Sequence, residues 1–267
     1  MGGKAIDASW VLGELGLANC AIGFAAGNVG RLMDKMLQDR GCKTDFIWVG
    51  GETRTHITIV SESGLGQSTL VGSGMQIEKE NTDAFRKKYT DWIQRCDCVI
   101  IGGSVPREID PSIYTQLVKE ANKANIPVVF DASGPGLTAG LKGRPTIMKP
   151  NLDEISYLVD RDISTVDQAY QEVMELKKKY GTDFVVTMGK KGALAVLDER
   201  SYFIPALRIP VISTAGAGDS VLAGISASFS AGSPIEEGLR KGFAAAAAVC
   251  MTPATADCRK EDVENLM

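Results

Sequence analysis

A glycine-rich segment with one acidic residue, at positions 213–220, is the strongest candidate for chemistry in this chain. Glycines at 216 and 218 allow successive backbone N–H groups to point into one concavity, and the helical pattern that follows adds the positive end of its dipole. The segment therefore predicts an anion site built from the backbone of Gly216, Ala217 and Gly218. Asp219 could accept a proton from an attacking hydroxyl; a plain glycine turn with an ordinary first-turn helix acid is the alternative.

Two other phosphate-binding motifs do not fit the sequence. No GxxxxGK[ST] pattern occurs, which excludes a P-loop nucleotide site. A dinucleotide fingerprint also fails, because Gly216 and Gly218 are followed by Asp219, Ser220 and Val221 where a third glycine is required. The anion predicted at the glycine-rich segment is therefore not held by either motif.

A second polar segment, residues 149–154, follows a predicted strand and opens a predicted helix. Asn151 is a natural N-cap, and Glu154 stands three residues later, as in a capping box. Capping alone would account for both residues. The functional alternative is that Asn151 and Glu154, on one helical turn at the carboxyl edge of a parallel sheet, orient water-bound Mg²⁺, a cation that takes few direct protein ligands.

Three weaker candidates complete the set. Residues 187–192 follow another predicted strand, and their two glycines could let a nucleotide lie close to the backbone; a tight turn is the alternative. Arg54 lies in a short β-rich segment, where a lone arginine is usually a solvated charge. Lys4, which follows Gly2 and Gly3, is equally weak by itself.

The elements that must position these residues alternate between short apolar runs and helical segments, a pattern typical of parallel βαβ units. Each run has the composition of a strand that is buried on both faces. The predicted strands are residues 98–101, 128–131, 146–148 and 184–187. Apolar residues recur at helical spacing over residues 164–180, which predicts a helix that covers one face of the sheet.

Residues 44–72 have a different pattern, in which glycine turns separate short β-rich runs without an intervening helix. These runs predict a small antiparallel sheet inserted as a lid. The runs are residues 45–49, 55–60 and 67–71, and the turns are residues 50–51 and 64–66.

Both ends of the chain are predicted to be helical. The sequence opens directly on a helical pattern that starts near Ile6, so we expect a first strand of the parallel sheet to be missing. Residues 217–251 predict two alanine-rich helices that are separated by a Gly-Ser-Pro break at residues 232–234.

Composition limits the partners and the compartment. The chain has 267 residues, 44% of them hydrophobic, which is enough for one large α/β domain. The net charge of −4 and the lack of an apolar run of membrane-spanning length argue against nucleic acid or a membrane as partner. Six scattered cysteines match no zinc pattern and favour a reduced, cytoplasmic protein. The single histidine, His56, lies in a pattern typical of a half-buried strand.

The joint order of the polar segments resembles that of the ribokinase-like carbohydrate kinases, and within them the phosphosugar branch that includes 1-phosphofructokinase and tagatose-6-phosphate kinase. The segments run from residue 2 almost to the C-terminus. They are Gly2-Gly3-Lys4, Gly51-Glu52-Thr53-Arg54, Gly102-Gly103-Ser104-Val105-Pro106, Lys149-Pro150-Asn151-Leu152-Asp153-Glu154, Thr187-Met188-Gly189-Lys190-Lys191-Gly192 and Thr214-Ala215-Gly216-Ala217-Gly218-Asp219. The resemblance implies a three-layer α/β/α sandwich with a mostly parallel central sheet, a single domain over residues 1–267 and a β-sheet lid over residues 44–72.

The resemblance also implies a role for each matching residue. Asp219 matches the catalytic base, the backbone of residues 216–218 matches the anion hole, and Asn151 and Glu154 match a pair that organises Mg²⁺ through water. The residues on the nucleotide side would be Lys149, Thr187, Gly189, Gly192 and Gly218. The residues on the phosphosugar side would be Gly3, Lys4, Asp7, Arg54 and Ser104. Of these, Lys4 and Arg54 would offset the charge of the sugar phosphate.

The sequence also departs from the family pattern. The family's glycine-rich start reads GGKGxN, whereas this chain has Ala5 and Asp7, so an amide becomes an acid. His56 stands where the family usually has asparagine, and Arg107 replaces a small residue or proline. The family carries a strand and part of the lid upstream of GGK, with an aspartate that binds sugar hydroxyls; this is the first strand expected to be missing here.

The expected function is ATP- and Mg²⁺-dependent phosphorylation of a phosphosugar, in the manner of a 1-phosphofructokinase acting on fructose 1-phosphate. Tagatose-6-phosphate kinase and 6-phosphofructokinase activities are alternatives within the class. An alternative of another class is a truncated, non-catalytic protein that binds nucleotide or sugar. Exposed strand edges in the lid indicate a homodimer formed through it.

Overall fold

The computed structural model describes residues 2–60, 67–72, 74–198 and 200–267. The turn predicted at residues 64–66 lies outside them. The helices are α1 (Lys4–Glu14), α2 (Gly27–Asp39), α3 (Lys79–Ile93), α4 (Ile113–Lys123), α5 (Gly134–Gly143), α6 (Leu152–Val159), α7 (Val166–Tyr180), α8 (Ala217–Ala231), α9 (Ile235–Cys250) and α10 (Lys260–Leu266). The strands are β1 (Cys20–Ala21), β2 (Phe24–Ala25), β3 (Lys43–Thr44), β4 (Ile47–Trp48), β5 (Gly50–Gly51), β6 (His56–Val60), β7 (Gln67–Val71), β8 (Met75–Gln76), β9 (Val99–Gly103), β10 (Val128–Ala132), β11 (Ile147–Met148), β12 (Asp183–Thr187), β13 (Ala193–Val196) and β14 (Ser201–Ile204).

A six-stranded sheet with the order β14-β13-β12-β11-β10-β9 forms the centre of the molecule. Strands β9 to β12 are parallel, and β13 and β14 complete the sheet as antiparallel strands. Every residue of β10 is buried, as expected where helices cover both faces of a sheet. The four strands predicted from apolar runs are confirmed as β9 to β12, and the mostly parallel α/β fold is confirmed with them.

Helices cover the sheet on both faces and give the three layers. One apolar core joins β10 and β12 to α3, α4, α5, α6 and α7, and includes Tyr89, Phe130 and Phe184. The other core joins the opposite face to α1, α8, α9 and α10, and includes Val11, Leu222 and Val249. Helix α7, with Thr165 as its N-cap, confirms the helix predicted over residues 164–180.

Helices α8 and α9 pack so closely that their crossing requires glycine. A Cβ on Gly224 would lie 2.2 Å from the backbone N of Gly242. The predicted break between the two helices is confirmed, because Gly232 takes a left-handed conformation with a φ of 62° and α9 begins at Ile235. This close packing fixes the position of the N-terminus of α8, where Asp219 lies.

The lid region differs in part from the predicted three-stranded antiparallel sheet. Strands β6 and β7 form an antiparallel pair, and β5 pairs with β8. The run predicted at residues 45–49 instead contributes β4, which pairs in parallel with β2. This part of the prediction is wrong because β2 and β4 are only two residues long, so hydrophobic periodicity gives no signal for their pairing.

None of the described helices is long and apolar enough to cross a membrane. The six cysteines are all free thiols. Burial raises the pKa of Cys258 to about 12, so this thiol stays protonated near neutral pH.

Candidate active site

The carboxyl ends of the parallel strands bring several of the predicted residues to one edge of the sheet. Ser104 follows β9, Lys149 and Asn151 follow β11, and Thr187 ends β12. Asn151 and Thr187 form an isolated parallel bridge, which ties the β11 and β12 ends together. The crevice at this edge is where open α/β sheets bind their ligands.

A buried cluster of opposite charges lies at the end of β10. Asp131 is fully buried; Lys4 Nζ contacts its Oδ1, and Lys149 Nζ lies 2.7 Å from its Oδ2. Burial opposes the charge on Lys4, but Asp131 and Glu154 outweigh it and hold the pKa of this ammonium above its ordinary value. Two lysine side chains, from α1 and from the end of β11, thus share one buried carboxylate.

Asn151 and Glu154 form the capping box that the sequence predicts. The N–H of Glu154 donates to Asn151 Oδ1 at 2.8 Å, and the N–H of Asn151 donates to Glu154 Oε2 at 2.9 Å. Glu154 Oε1 also accepts from Ser133 Oγ at 2.7 Å and from Lys4 Nζ at 3.2 Å. Burial works against the charge on Glu154, yet Lys4 and the N–H of Asn151 hold its pKa below the usual range. The carboxyl group is therefore ionised and fixed in place.

The glycine-rich segment leads into α8 with the geometry of an anion cradle. Gly216 is the N-cap with a φ of 82°, and a Cβ on it would lie 2.4 Å from the backbone N of Ala256. Within the described part of the chain, the N–H groups of Gly216 and Gly218 have no hydrogen-bond acceptor. A Cβ on Gly218 would lie 3.3 Å from Lys149 Nζ. Free amide donors, a helix N-terminus and an ammonium group therefore meet at this turn.

Asp219 lies in the first turn of α8, and its carboxyl group interacts with that of Asp7 in the first turn of α1. Burial and the charges of Asp131 and Asp7 raise the pKa of Asp219 to about 8, although Lys149 and Lys4 oppose this shift. Burial raises the pKa of Asp7 to about 6, against hydrogen bonds with Asp219 and the backbone of Gly3. A carboxyl group with a raised pKa beside an anion cradle has the properties of a general base.

Arg54 and Ser104 meet at the mouth of a cavity of about 770 Å³. Arg54 Nη2 donates to Ser104 Oγ at 2.6 Å, and Gly3, with a φ of 112°, lines the same cavity. The cavity extends along the free edge of β9, which pairs only with β10 among the described strands. Three of the five residues predicted on the phosphosugar side thus line one cavity, whereas Lys4 and Asp7 lie in the adjoining charge cluster.

The turn after β12 holds the remaining candidates. Gly189 has a φ of 55° and opens a single 3₁₀ turn, and Gly192 has a φ of 92°. A Cβ on Gly192 would lie 2.1 Å from the backbone O of Ile204 in β14, so glycine is required there for strand packing. The tight turn is therefore present, and a nucleotide contact by Thr187, Gly189 and Gly192 stays a prediction.

Comparisons with known proteins identify the family. The family profile described as pfkB family carbohydrate kinase matches residues 1–262. The chain belongs to the pfkB family. It is 29% identical over 251 residues to 1-phosphofructokinase of Bacillus subtilis, covering 94% of this chain and 82% of that protein.

Solved structures of other kinases agree with this membership. Phosphofructokinase-2 from Escherichia coli in complex with potassium superposes with a TM-score of 0.90 at 26% identity, covering 99% of this chain and 86% of that one. Arabidopsis thaliana ribokinase complexed with ribose and ATP superposes with a TM-score of 0.81 at 22% identity, covering 99% and 86% respectively, and shows the shared fold. The expected ribokinase-like fold and carbohydrate kinase class are confirmed.

Asp131 is the main residue of this candidate site that was not predicted from the sequence. It ends a run predicted as a buried strand, and an acid at the carboxyl end of such a strand is a usable signal. The signal is weak, because the partners of Asp131 come from distant parts of the chain: Lys4 is 127 residues away in sequence. Ser133, which orients Glu154, follows the same strand and was missed for the same reason.

Proposed function

We propose that this pfkB family protein transfers the γ-phosphoryl group of ATP to a hydroxyl group of a phosphosugar, with fructose 1-phosphate as the preferred acceptor. The similarity to 1-phosphofructokinase of Bacillus subtilis supports this acceptor. Phosphofructokinase-2 from Escherichia coli has been solved in complex with fructose-6-phosphate and is 25% identical, with a TM-score of 0.86. This match supports 6-phosphofructokinase activity as the second candidate; tagatose 6-phosphate is a further acceptor to test.

One observation carries the proposal: the acid with the raised pKa lies in the first turn of α8, directly beside the amide donors of the anion cradle. Asp219 would take the proton of the sugar hydroxyl while the hydroxyl oxygen bonds to the γ-phosphorus and ADP leaves. The N–H groups of Gly216 and Gly218 would bind the phosphoryl oxygens as charge develops, joined by that of Ala217, which in this structure donates to Thr214 O at 3.3 Å. Positioning and charge neutralisation supply most of the rate.

Lys149, Thr187, Gly189, Gly192 and Gly218 are proposed to hold the nucleotide. Lys149 is nearly fully buried, with its ammonium group beside the cradle, and a buried ammonium is suited to a phosphate oxygen. On the sugar side, Arg54 and Ser104 are hydrogen-bonded to each other, which orients the guanidinium toward a phosphate group at the cavity mouth.

Asn151 and Glu154 are proposed to hold Mg²⁺ through water. Their oxygen donors suit this cation, but both oxygens of Glu154 already accept hydrogen bonds. No group of three His, Cys, Asp or Glu side chains with metal-binding geometry occurs in the described ranges. This donor set fits contact through water better than direct coordination. When bound with ATP, Mg²⁺ neutralises phosphate charge.

A homodimer through the lid is proposed as well. Ile57 and Ile59 alternate along β6, Leu70 pairs with Ile57 across the sheet, and all three side chains are more than half exposed. Such an apolar face favours a second copy as its cover. Escherichia coli phosphofructokinase-2 has been solved as a tetrameric inhibited form, which supports self-association in this family. Light scattering of Ile57→Ser should show a shift toward monomer.

A panel of phosphosugars, assayed by ADP release with ATP and Mg²⁺, tests the activity. We expect Asp219→Asn to lower turnover at least about 10²-fold, the lower range for a general base, with ATP affinity by calorimetry nearly unchanged. Asp167→Asn, an exposed first-turn acid of α7, is the matched control and should keep full activity. Binding of ATP without turnover of any phosphosugar would instead identify a non-catalytic binding protein.

A further inference from the structure

The position of Asp7 against Asp219 is not explained by sugar binding alone. Asp7 is only 3% exposed, its Oδ1 has no hydrogen-bond partner in the described part of the chain, and it does not line the cavity. Its carboxyl group lies within hydrogen-bonding reach of the carboxyl group of Asp219 and of the backbone of Gly3. The buried carboxyl group of Asp7 and the half-buried one of Asp219 lie within hydrogen-bonding reach, which is unfavourable when both are ionised, so the arrangement favours a shared proton.

We propose that Asp7 and Asp219 act as one acid–base unit that holds a single proton between them, with Asp7 as a positioning residue for the proposed base. This inference rests on the proposed kinase function. A proton between the two carboxyl groups forms the hydrogen bond that joins them. It also links Asp219, in the first turn of α8, to the first turn of α1.

The charges around the pair agree with a single shared proton. From α1 and the end of β11, Lys4 and Lys149 face Asp219, and from β10 Asp131 faces it. Both lysine ammonium groups already contact Asp131, so they neutralise mainly its charge and only weakly that of the pair. The helix dipoles of α1 and α8 favour negative charge at the pair, and one ionised carboxylate satisfies them. Burial raises the pKa of both carboxyl groups, which agrees with retention of a proton near neutral pH.

The pair makes Asp219 a stronger base than an isolated aspartate. In the doubly ionised form the two negative charges repel each other, and the proton that leaves the sugar hydroxyl relieves this repulsion when it is shared between them. The hydroxyl oxygen meanwhile bonds to the γ-phosphorus, and the bond from this phosphorus to ADP breaks. The greater basicity also narrows the pH range of activity, because the doubly ionised form is populated only at higher pH.

Asp7→Asn separates these two effects. The amide keeps the size of the side chain, removes the charge and can donate to Asp219, so the ionised form of Asp219 becomes favourable at lower pH. We expect the acid limb of kcat/KM for fructose 1-phosphate, at saturating ATP, to move down by about one pH unit or more. The high-pH plateau should fall, because Asp219 becomes a weaker base. The profiles of variant and wild type should therefore cross.

Asp167→Asn changes the net charge equally at a distant exposed site and should leave the profile unmoved. A uniform loss of activity at every pH, an acid limb that does not move, or an equal shift in the control would overturn the proposal. Carbon-13 NMR of the aspartate carboxyl groups in the ligand-free protein gives a reading independent of turnover. Two linked titrations above the ordinary range support the pair, and two independent titrations near about pH 4 overturn it. If no phosphosugar is turned over, the proposed function fails while the NMR titration still decides the pair.

Discussion

Asp219→Asn should make the protein more stable, and by an amount that depends on pH. In the unfolded chain the carboxyl group titrates near its ordinary pKa of 3.8, and in the folded protein near about 8. The folded state therefore binds the proton more tightly than the unfolded state. The stability that this protonation provides is complete below about pH 4 and is lost progressively as the pH rises toward 8.

The size of the effect follows from the difference between the two pKa values. Counted in full, it corresponds to about 5–6 kcal/mol of unfolding free energy. Asp219 is partly exposed and shares its environment with Asp7, so solvent screening and coupling reduce this amount, and we expect about 2 kcal/mol. The amide is neutral at every pH. The variant should therefore exceed the wild type by that amount at pH 9 and match it at pH 4.

Thermal melts of the two proteins between pH 4 and pH 9 test this directly. For a chain of this size, about 2 kcal/mol corresponds to a rise in Tm of about 5 °C at the alkaline end. Asp167→Asn serves again as the control for net charge and should not raise Tm. Parallel curves for wild type and Asp219→Asn across the whole range would show that the folded and unfolded states bind this proton equally, so that folding does not raise the pKa of Asp219, and the argument would fail.

The remaining predictions concern the cavity mouth and the turn after β12. Arg54→Ala should raise the KM for the phosphosugar about 10- to 100-fold and leave the KM for ATP nearly unchanged, since a charge-assisted phosphate contact is worth roughly 1.5–3 kcal/mol; equal effects in steady-state kinetics would place Arg54 elsewhere. Gly192→Ala should destabilise the protein by more than about 2 kcal/mol in urea unfolding, because its Cβ would lie 2.1 Å from the backbone O of Ile204. Gly189→Ala is the matched comparison: its Cβ would meet open space and cost only about 1 kcal/mol of left-handed strain, and equal losses would contradict the packing argument.

The central sheet and the turns that carry most of the candidate site could be predicted from the sequence because both depend on local signals. Continuous apolar runs predict the buried strands, and glycine and asparagine residues indicate the turns at their carboxyl ends. The capping box of Asn151 and Glu154 spans a single helical turn, so its geometry follows from spacing alone. In each case the information lies within a few neighbouring residues.

The features that could not be predicted depend on contacts between distant segments. Asp131 belongs to the charge cluster only because Lys4 and Lys149, which lie in two other segments of the chain, form ion pairs with it. Strand β4 pairs with β2 through two residues only, too few for a periodic signal. Likewise, the meeting of Asp7 and Asp219 depends on how α1 and α8 pack, and no spacing in the sequence encodes that distance.

The free edge of β9 has a consequence for hydrogen exchange. The N–H of Val99 donates to Pro127 O, so by the alternation of a parallel strand the N–H groups of Ile100 and Gly102 point away from β10. Both residues line the cavity, where water can reach these amides. Amide deuteration should therefore alternate along the strand, fast at Ile100 and Gly102 and slow at Ile101. Any backbone that enters the cavity and pairs with this edge would slow the two fast amides first.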